Sequence, residues 1–239
     1  MYLTASSIKD YLDCPQKLEY RLHGESSTPN AYFLRGTVVH EIIADRSIDN
    51  PTKAKEVFFE EFSRLVVEND PEFPFRTTFT SMVKESNKML DNYYLKIDPA
   101  FDAPLPEHIE MFFEVTIGGQ VFKGVIDQIR EDSVFDWKTT VKPLDPVTRN
   151  ADYQFTLYGL AYKELFGKYP KNIYYGHLYS GEVHKLERTE ADYEYLKEVA
   201  NQVDFSMKND IFPRNYSKYG CALCQYKHLC FDEDDKIRY

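Results

Sequence analysis

One stretch of the sequence constrains the fold more than any other feature. Residues 121–138, VFKGVIDQIREDSVFDWK, read as two short strands rich in β-branched and aromatic residues, joined by the polar turn 130–133. If the connecting loop has two or four residues, the antiparallel register places Asp127 opposite Asp136. Lys138 then projects from the same face, because side chains alternate with period two along a strand.

Two acids and a lysine on one otherwise apolar hairpin are costly unless a cation or a reaction needs them. The pattern therefore predicts the site of a metal-dependent phosphodiesterase. A surface hairpin that carries an ordinary ion pair is the simpler alternative.

Length and composition predict a folded protein with one large domain, or a core with a helical insertion. Hydrophobic residues make up 43% of the 239 residues, yet no run of 18 apolar residues suggests a membrane span. The N-terminus lacks a basic region followed by an apolar one, so we expect no signal peptide and a cytoplasmic protein. In that compartment the four cysteines are expected to be metal ligands, not disulfides.

The net charge of −10 argues against a protein that coats nucleic acid nonspecifically. It does not exclude a nuclease, because a metal site needs carboxylates and a local basic groove can coexist with an acidic exterior.

The first two predicted helices of the chain each contain one candidate metal ligand. The first covers residues 4–20 and contains Cys14 near its end. The second begins at Tyr32, and His40 lies one turn beyond Gly36 on nearly the same side. A solitary helical histidine is usually a hydrogen-bonded core residue, but the spacing Gly-x3-His ahead of the two acids favours a ligand.

Residues 48–107 read as a helical insertion followed by a proline-containing linker, and we expect it to act as a lid or a partner surface. The strand 109–117 then turns into the hairpin. In that register Glu110 lies opposite Asp127, and Glu114 shares a face with it. Either carboxylate could reach a metal, so Glu114 is also a candidate catalytic residue; the alternative is that both are solvated or paired with Lys123.

A further helix after the hairpin places Gln154 and Tyr158 one turn apart on one face. The pair could orient a phosphate or a nucleobase, or it could be an ordinary amphipathic boundary. Strand-like segments and a last helix follow, so the catalytic core is predicted to span residues 109–208. The order of elements predicts an α/β fold with a sheet of mixed direction, flanked by helices.

The C-terminal region has the spacing Cys-x2-Cys-x5-Cys, formed by Cys221, Cys224 and Cys230. With Cys14 these thiols predict a four-ligand metal site that joins the two ends of the chain and has a structural role. Tetrahedral zinc and an iron–sulfur cluster both suit four thiols, and His23 or His228 could replace one of them.

These motifs together resemble the PD-(D/E)XK nuclease superfamily, specifically its RecB-like branch with an iron–sulfur cluster. That branch includes CRISPR-adaptation exonucleases, the nuclease domain of the AddB subunit and eukaryotic replication helicase–nucleases. None of the motifs is specific alone, but they occur in the order of the family over nearly the whole chain: Cys14, Gly36-x3-His40, Gly124-x2-Asp127, Asp136-Trp137-Lys138, Gln154-x3-Tyr158 and the three C-terminal cysteines.

The resemblance implies a restriction-endonuclease-like core and assigns metal ligands. His40, Asp127 and Asp136 would bind Mg²⁺ or Mn²⁺, with the backbone carbonyl of Trp137 as a further candidate. One departure is Ile126, which stands before Asp127 where the superfamily is named for a proline.

The resemblance also assigns residues beside the metal. Lys138 would position or deprotonate the attacking water and stabilise charge on the phosphate, and Gln154 and Tyr158 would lie beside the DNA path. The cysteines, Cys14 with 221–230, would hold a 4Fe–4S cluster. No helicase motif occurs, so unwinding would come from another chain.

We therefore predict a metal-dependent DNA exonuclease that acts on ends of single-stranded or splayed DNA, with no membrane association. The expected setting is recombination, repair or CRISPR-type adaptation, with a mobile element or phage as the source and a helicase or a recombination or adaptation protein as partner. Two alternatives stay open: a non-catalytic DNA-binding or regulatory protein of the same fold, and a zinc-stapled RNA nuclease.

Overall fold

A five-stranded sheet forms the centre of the computed structural model, which describes residues 2–25, 30–217, 220–221 and 224–231. The strands lie in chain order across the sheet: β1 (Ile109–Ile117), β2 (Gln120–Arg130), β3 (Ser133–Lys138), β4 (Asn172–His177) and β5 (Glu182–Leu186). Strands β1 to β3 form an antiparallel meander, β3 and β4 are parallel, and β4 and β5 are antiparallel. The predicted mixed α/β sheet is confirmed.

The turn between β2 and β3 is shorter than predicted but preserves the predicted register. Arg130 pairs with Ser133, so only Glu131 and Asp132 form the turn, and both have left-handed backbones with φ of 44° and 62°. Such a two-residue turn matches the twist of the strands that it joins. The register places Asp127 across from Asp136, one step beyond the last recorded pair.

Helices cover both faces of the sheet: α1 (Ala5–Asp13), α2 (Pro15–Leu22), α3 (Ala31–Ala44), α4 (Pro51–Asn69), α5 (Phe79–Asn92), α6 (Pro146–Asn150), α7 (Tyr153–Phe166) and α8 (Glu190–Lys208). A single turn, Lys227–Cys230, lies near the C-terminus. The helix α7 forms the crossover that parallel strands require, between β3 and β4.

The first predicted helix, 4–20, is two helices instead of one. Cys14 has an extended backbone, φ −162° and ψ 106°, and it both ends α1 and precedes α2. Pro15 explains the break, because proline disfavours a helical conformation in the residue before it and is well tolerated as the first residue of a helix.

The two larger of three hydrophobic clusters among the described residues lie on opposite faces of the sheet. One packs α1, α7 and α8 against β1 and β2, and the other packs α3, α4 and α5 against Phe135 and Trp137 of β3. Alternation along β3 therefore points Phe135 and Trp137 toward α3, and Asp136 and Lys138 toward α7.

The segment predicted as a helical insertion, 48–107, contains α4, α5 and a short π-helical turn at Tyr93–Ile97. These helices are part of the second core, so they support the face of the sheet opposite α7. Among the described residues, no helix combines the length and the apolar character needed to cross a membrane.

Candidate active site

The hairpin of β2 and β3 brings the two predicted acids to one place. Asp127 and Asp136 are 8% and 2% exposed. The backbone N–H of Trp137 donates to Oδ2 of Asp127 at 2.6 Å, which fixes this carboxylate against the neighbouring strand. The resemblance assigns the backbone carbonyl of Trp137 as a further metal ligand; that assignment stays a prediction, and the contact found here is made by the N–H.

His40 reaches the same place from α3. Its Nδ1 lies 3.5 Å from Oδ2 of Asp127 and 3.7 Å from Oε1 of Glu110. One ligand atom from each of these three residues lies within 4.8 Å of the other two. We call His40, Glu110 and Asp127 the ligand trio.

Glu110 joins the trio through an unusual backbone. Ile109 and Met111 pair with Gln128 and Ile126, whereas Glu110 makes no recorded pair and has φ of 46°. A left-handed backbone in a residue other than glycine costs on the order of 1–3 kcal/mol and persists where the surrounding structure enforces it. With this backbone the Glu110 carboxylate lies beside His40.

The protonation of the trio reflects concentrated negative charge in a buried place. Burial disfavours the charged form of His40, but Asp127, Glu110 and Asp136 outweigh it and raise the pKa of His40 to about 9. Burial, with the added repulsion of Asp136, raises the pKa of Asp127 to about 7 although His40 opposes this shift. Protons on His40 and Asp127 neutralise part of this negative charge, as a bound divalent cation would.

The donor set fits a small divalent cation. The trio consists of two carboxylates and one imidazole, and oxygen-rich ligands suit Mg²⁺ or Mn²⁺. The histidine shifts the preference toward Mn²⁺. Asp136 is also buried, and its Oδ2 lies 2.8 Å from Nζ of Lys138.

Lys138 takes part in a closed ring of polar contacts with α7. Its Nζ donates to Oε1 of Gln154 at 2.7 Å, and Nε2 of Gln154 donates to the hydroxyl of Tyr158 at 2.7 Å. The Tyr158 hydroxyl lies 3.4 Å from Oδ1 of Asp136, and the ammonium of Lys138 closes the ring. Gln154 and Tyr158 thus orient the side chains of Lys138 and Asp136 on β3.

The electrostatics of this ring keep Lys138 charged. Burial lowers the pKa of its ammonium, but Asp136 outweighs burial and the net pKa is raised. The pKa of Tyr158 is raised well above its ordinary value by burial and by Asp136, so its hydroxyl stays a neutral donor. In this state Lys138 supplies positive charge and hydrogen-bond donors.

Glu114 is placed differently from the other candidate residues. Its carboxylate pairs with Lys123 at 2.8 Å, its side chain is 53% exposed, and it is not in the ligand trio. Glu114 and Lys123 face each other across the strand pair β1–β2.

Two residues that the sequence did not indicate hold the loop after Lys138. Arg35 is 2% exposed; it donates to the carbonyl of Thr139 at 2.6 Å and pairs with Glu85 of α5 at 2.7 Å. His177 lies with Nε2 2.7 Å from the carbonyl of Thr140. A charged residue within the apolar helix α3 was the available signal for Arg35.

All four cysteines line one cavity of about 390 Å³, which also contains Lys17, Tyr20 and Lys227. Each thiol is half-buried and free of disulfides. Burial raises the pKa of the Cys224 thiol, and neighbouring Cys230 and Cys14 add to the shift. His23 and His228 do not line this cavity. The predicted meeting of Cys14 with the C-terminal cysteines is therefore present in the fold.

The chain is similar to known proteins in both sequence and fold. Residues 2–231 match the sequence profile of the PD-(D/E)XK nuclease superfamily. The fold is similar to the crystal structure of a candidate exonuclease from Eubacterium rectale, with a TM-score of 0.64 and 12% identity over 99% of this chain and 92% of that one. No curated protein matches the sequence. The α/β fold is thus restriction-endonuclease-like, and the chain belongs to the PD-(D/E)XK nuclease superfamily, whose members are nucleases that generally use divalent metals.

Proposed function

We propose that this protein is an exonuclease that hydrolyses phosphodiester bonds at the ends of single-stranded or splayed DNA with Mg²⁺ or Mn²⁺. The observation that carries the proposal is the ligand trio beside the charged Lys138, with the buried carboxylate of Asp136 between them. The similarity in fold to a candidate exonuclease supports the exonucleolytic mode.

His40, Glu110 and Asp127 would hold the metal, and the carboxylate of Asp136, whose Oδ2 lies 2.8 Å from Nζ of Lys138, would complete the set. A bound ion of this kind supplies activation of water and neutralisation of charge on the scissile phosphate. The carboxylates must be deprotonated and His40 neutral for the ion to bind, so metal binding displaces protons from the trio.

Lys138 stabilises the negative charge that develops on the phosphate, because its ammonium is held charged beside Asp136. Gln154 fixes the direction of that ammonium, and Tyr158 fixes Gln154 in turn. Since Lys138 retains its proton in this state, its role is to orient the water and the phosphate.

For the cysteine site we favour an iron–sulfur cluster over a single zinc ion. Four thiolates about 2.3 Å from one zinc would lie about 3.8 Å apart. Within the described part of the chain, no three cysteine sulfurs lie within 4.8 Å of one another. The wider arrangement suits a larger group, which would join α2 to the C-terminal region. An iron–sulfur cluster gives broad absorbance near about 400 nm, whereas zinc gives none.

The proposal keeps the predicted division of the chain. Residues 109–208 form the catalytic core, 48–107 form a helical insertion, and Cys14 with 221–230 forms the cysteine site that joins the two ends of the chain. The cellular setting in recombination, repair or CRISPR-type adaptation, and the partner protein, stay predictions from the resemblance.

The test compares a linear single-stranded DNA with a covalently closed circle of the same sequence, each incubated with Mn²⁺ and the wild-type protein. We expect shortening of the linear strand, an intact circle, and no cleavage by the Lys138→Ala variant. Labels at the 5′ and 3′ ends give the polarity, and an RNA strand of the same sequence tests the RNA nuclease alternative.

Cleavage of the circle would contradict the exonuclease mode, and cleavage by Lys138→Ala equal to that by wild type would contradict the assigned site. No cleavage by a protein with its cysteine cofactor loaded would favour the non-catalytic alternative.

A further inference from the structure

Two cavities adjoin at the loop that follows Lys138, and each contains active-site residues. The first, of about 480 Å³, is lined by Lys138, Gln154 and Thr140, and the second, of about 700 Å³, by His40 and Thr139. The two cavities share no lining residue, and the consecutive residues Thr139 and Thr140 line one each. A strand that passes over the active site would therefore enter both.

The first cavity is basic. Besides Lys138 it is lined by Lys9 and Lys123, and its acid, Asp152, is occupied in capping α7 through the N–H of Gln154 at 2.9 Å. Lys123 is partly neutralised by its pairing with Glu114, whereas Lys9 is exposed and forms no ion pair with the described residues. This cavity offers charge for a phosphate.

The second cavity has the opposite character. It is lined by Tyr32 and Phe33 of α3 and by the carboxylates of Glu41 and Glu110, and its described lining residues include no lysine or arginine. Away from the ligand trio, its described lining residues offer no positive charge to a phosphate. Aromatic rings, in contrast, accept the face of a nucleobase whatever its sequence.

Phe33 is the most exposed aromatic residue in this cavity. Its side chain is 74% exposed and makes no ring contact with other described residues. It lies seven positions before His40 on α3, two turns away on one helix face, or about 10 Å along the axis. At a spacing of about 3.4 Å per stacked nucleotide, that is roughly three nucleotides from the metal site.

We infer that Phe33 is a stacking platform for an unpaired nucleobase, and that Lys9 contacts a phosphate on the other side of the active site. The strand then crosses from the basic cavity, over the ligand trio, to α3. Bases in a duplex are already stacked and paired, so Phe33 selects single-stranded ends. This inference rests on the proposed function, whose substrate it specifies.

The test measures binding in a Lys138→Ala background, which keeps all proposed metal ligands and blocks cleavage. Single-stranded DNA carries one 2-aminopurine, moved stepwise along the strand, because stacking quenches its fluorescence. We expect quenching near one position that Phe33→Ala abolishes, with a rise in dissociation constant of about five- to tenfold. Phe33→Tyr should retain both signals.

Two matched variants separate the path from general effects on the protein. Phe205→Ala removes another exposed ring, on α8, and Lys185→Ala removes an exposed lysine of β5; neither residue lines the two cavities. Both should bind like the background protein. Lys9→Ala should reduce the slope of log affinity against log salt by about 0.7, the value for one phosphate contact on a single strand.

Unchanged quenching and affinity in Phe33→Ala, or a salt slope in Lys9→Ala equal to that in Lys185→Ala, would overturn the inferred path. Cleavage of the same strand by wild type is measured in parallel. If wild type cleaves the strand but Phe33→Ala binds it as well as the background protein does, the inferred path is wrong and the proposed function stands. If binding depends on Phe33 but wild type does not cleave, the proposed function is wrong and the inferred path stands.

Discussion

Gly176 of β4 provides a sharp test of how the active-site strand is held. It pairs with Trp137 in the parallel register of β3 and β4, and the indole covers it. A Cβ added at Gly176 would lie 2.3 Å from Cε3 and 2.4 Å from Cζ3 of Trp137. The ring would have to retreat by about 1 Å to reach ordinary van der Waals contact.

Trp137 has no free space for that retreat. It is 1% exposed and packs between Phe135 and Tyr93, with ring centroids 5.3 Å and 5.6 Å away. Overpacking of this kind costs about 2–3 kcal/mol in free energy of unfolding. For a chain of this size we expect Gly176→Ala to lower the melting temperature by roughly 4–12 °C. Cleavage should also fall, because the N–H of Trp137 holds Asp127.

Urea unfolding of Gly176→Ala, Trp137→Leu and the double variant measures the effect as a double-mutant cycle. If the overlap is the cause, Gly176→Ala should cost at least about 1 kcal/mol less in the Trp137→Leu background. Equal costs in both backgrounds, or a melting temperature unchanged by Gly176→Ala alone, would refute the reasoning.

Three further predictions concern the metal site and the cysteines. Glu110→Gln should reduce Mn²⁺-dependent cleavage at least tenfold at limiting metal. Glu114→Gln, the matched control on the same strand, should cleave at a rate near that of wild type. Equal losses of cleavage in the two variants would show that Glu110 is not a metal ligand. The affinity for Mn²⁺, measured by calorimetry, should rise as the pH goes from 6 to 9. Protons compete with the ion at Asp127, whose pKa is raised to about 7, and at His40, whose pKa is raised to about 9. An affinity independent of pH would contradict this competition. Cys224→Ser should lower the melting temperature more than it lowers the rate of cleavage, and loss of cleavage at an unchanged melting temperature would contradict a structural role.

The core of the site could be predicted from sequence because its determinants are local. The period-two alternation of 121–138 fixes which residues of the hairpin share a face, and both short turns that fit give the same register for Asp127 and Asp136. Helical spacing likewise placed Gln154 and Tyr158 on one face of α7.

The choice between Glu110 and Glu114 could not be made from the sequence. Both satisfy the alternation of β1, and the structure places Glu110, which has a left-handed backbone, 3.7 Å from His40. Nothing in the local sequence indicates such a conformation in a glutamate. Glu114, meanwhile, is satisfied by Lys123 on β2.

Contacts distant in sequence were also beyond prediction. The pairing of Trp137 with Gly176 depends on the register of two parallel strands separated by a helix, and no local pattern defines it. The hydrogen bond from Arg35 to the Thr139 carbonyl joins α3 to the loop after β3, and its two residues are about a hundred positions apart in the sequence.

The central claim is that His40, Glu110 and Asp127 bind one divalent cation. Mn²⁺ titrated into the wild-type protein and followed by electron paramagnetic resonance, which detects the free ion, tests this directly. We predict one tight site, weakened strongly in Glu110→Gln and unchanged in Glu114→Gln. Absence of a tight site in wild type, or a site that survives Glu110→Gln intact, would contradict the account.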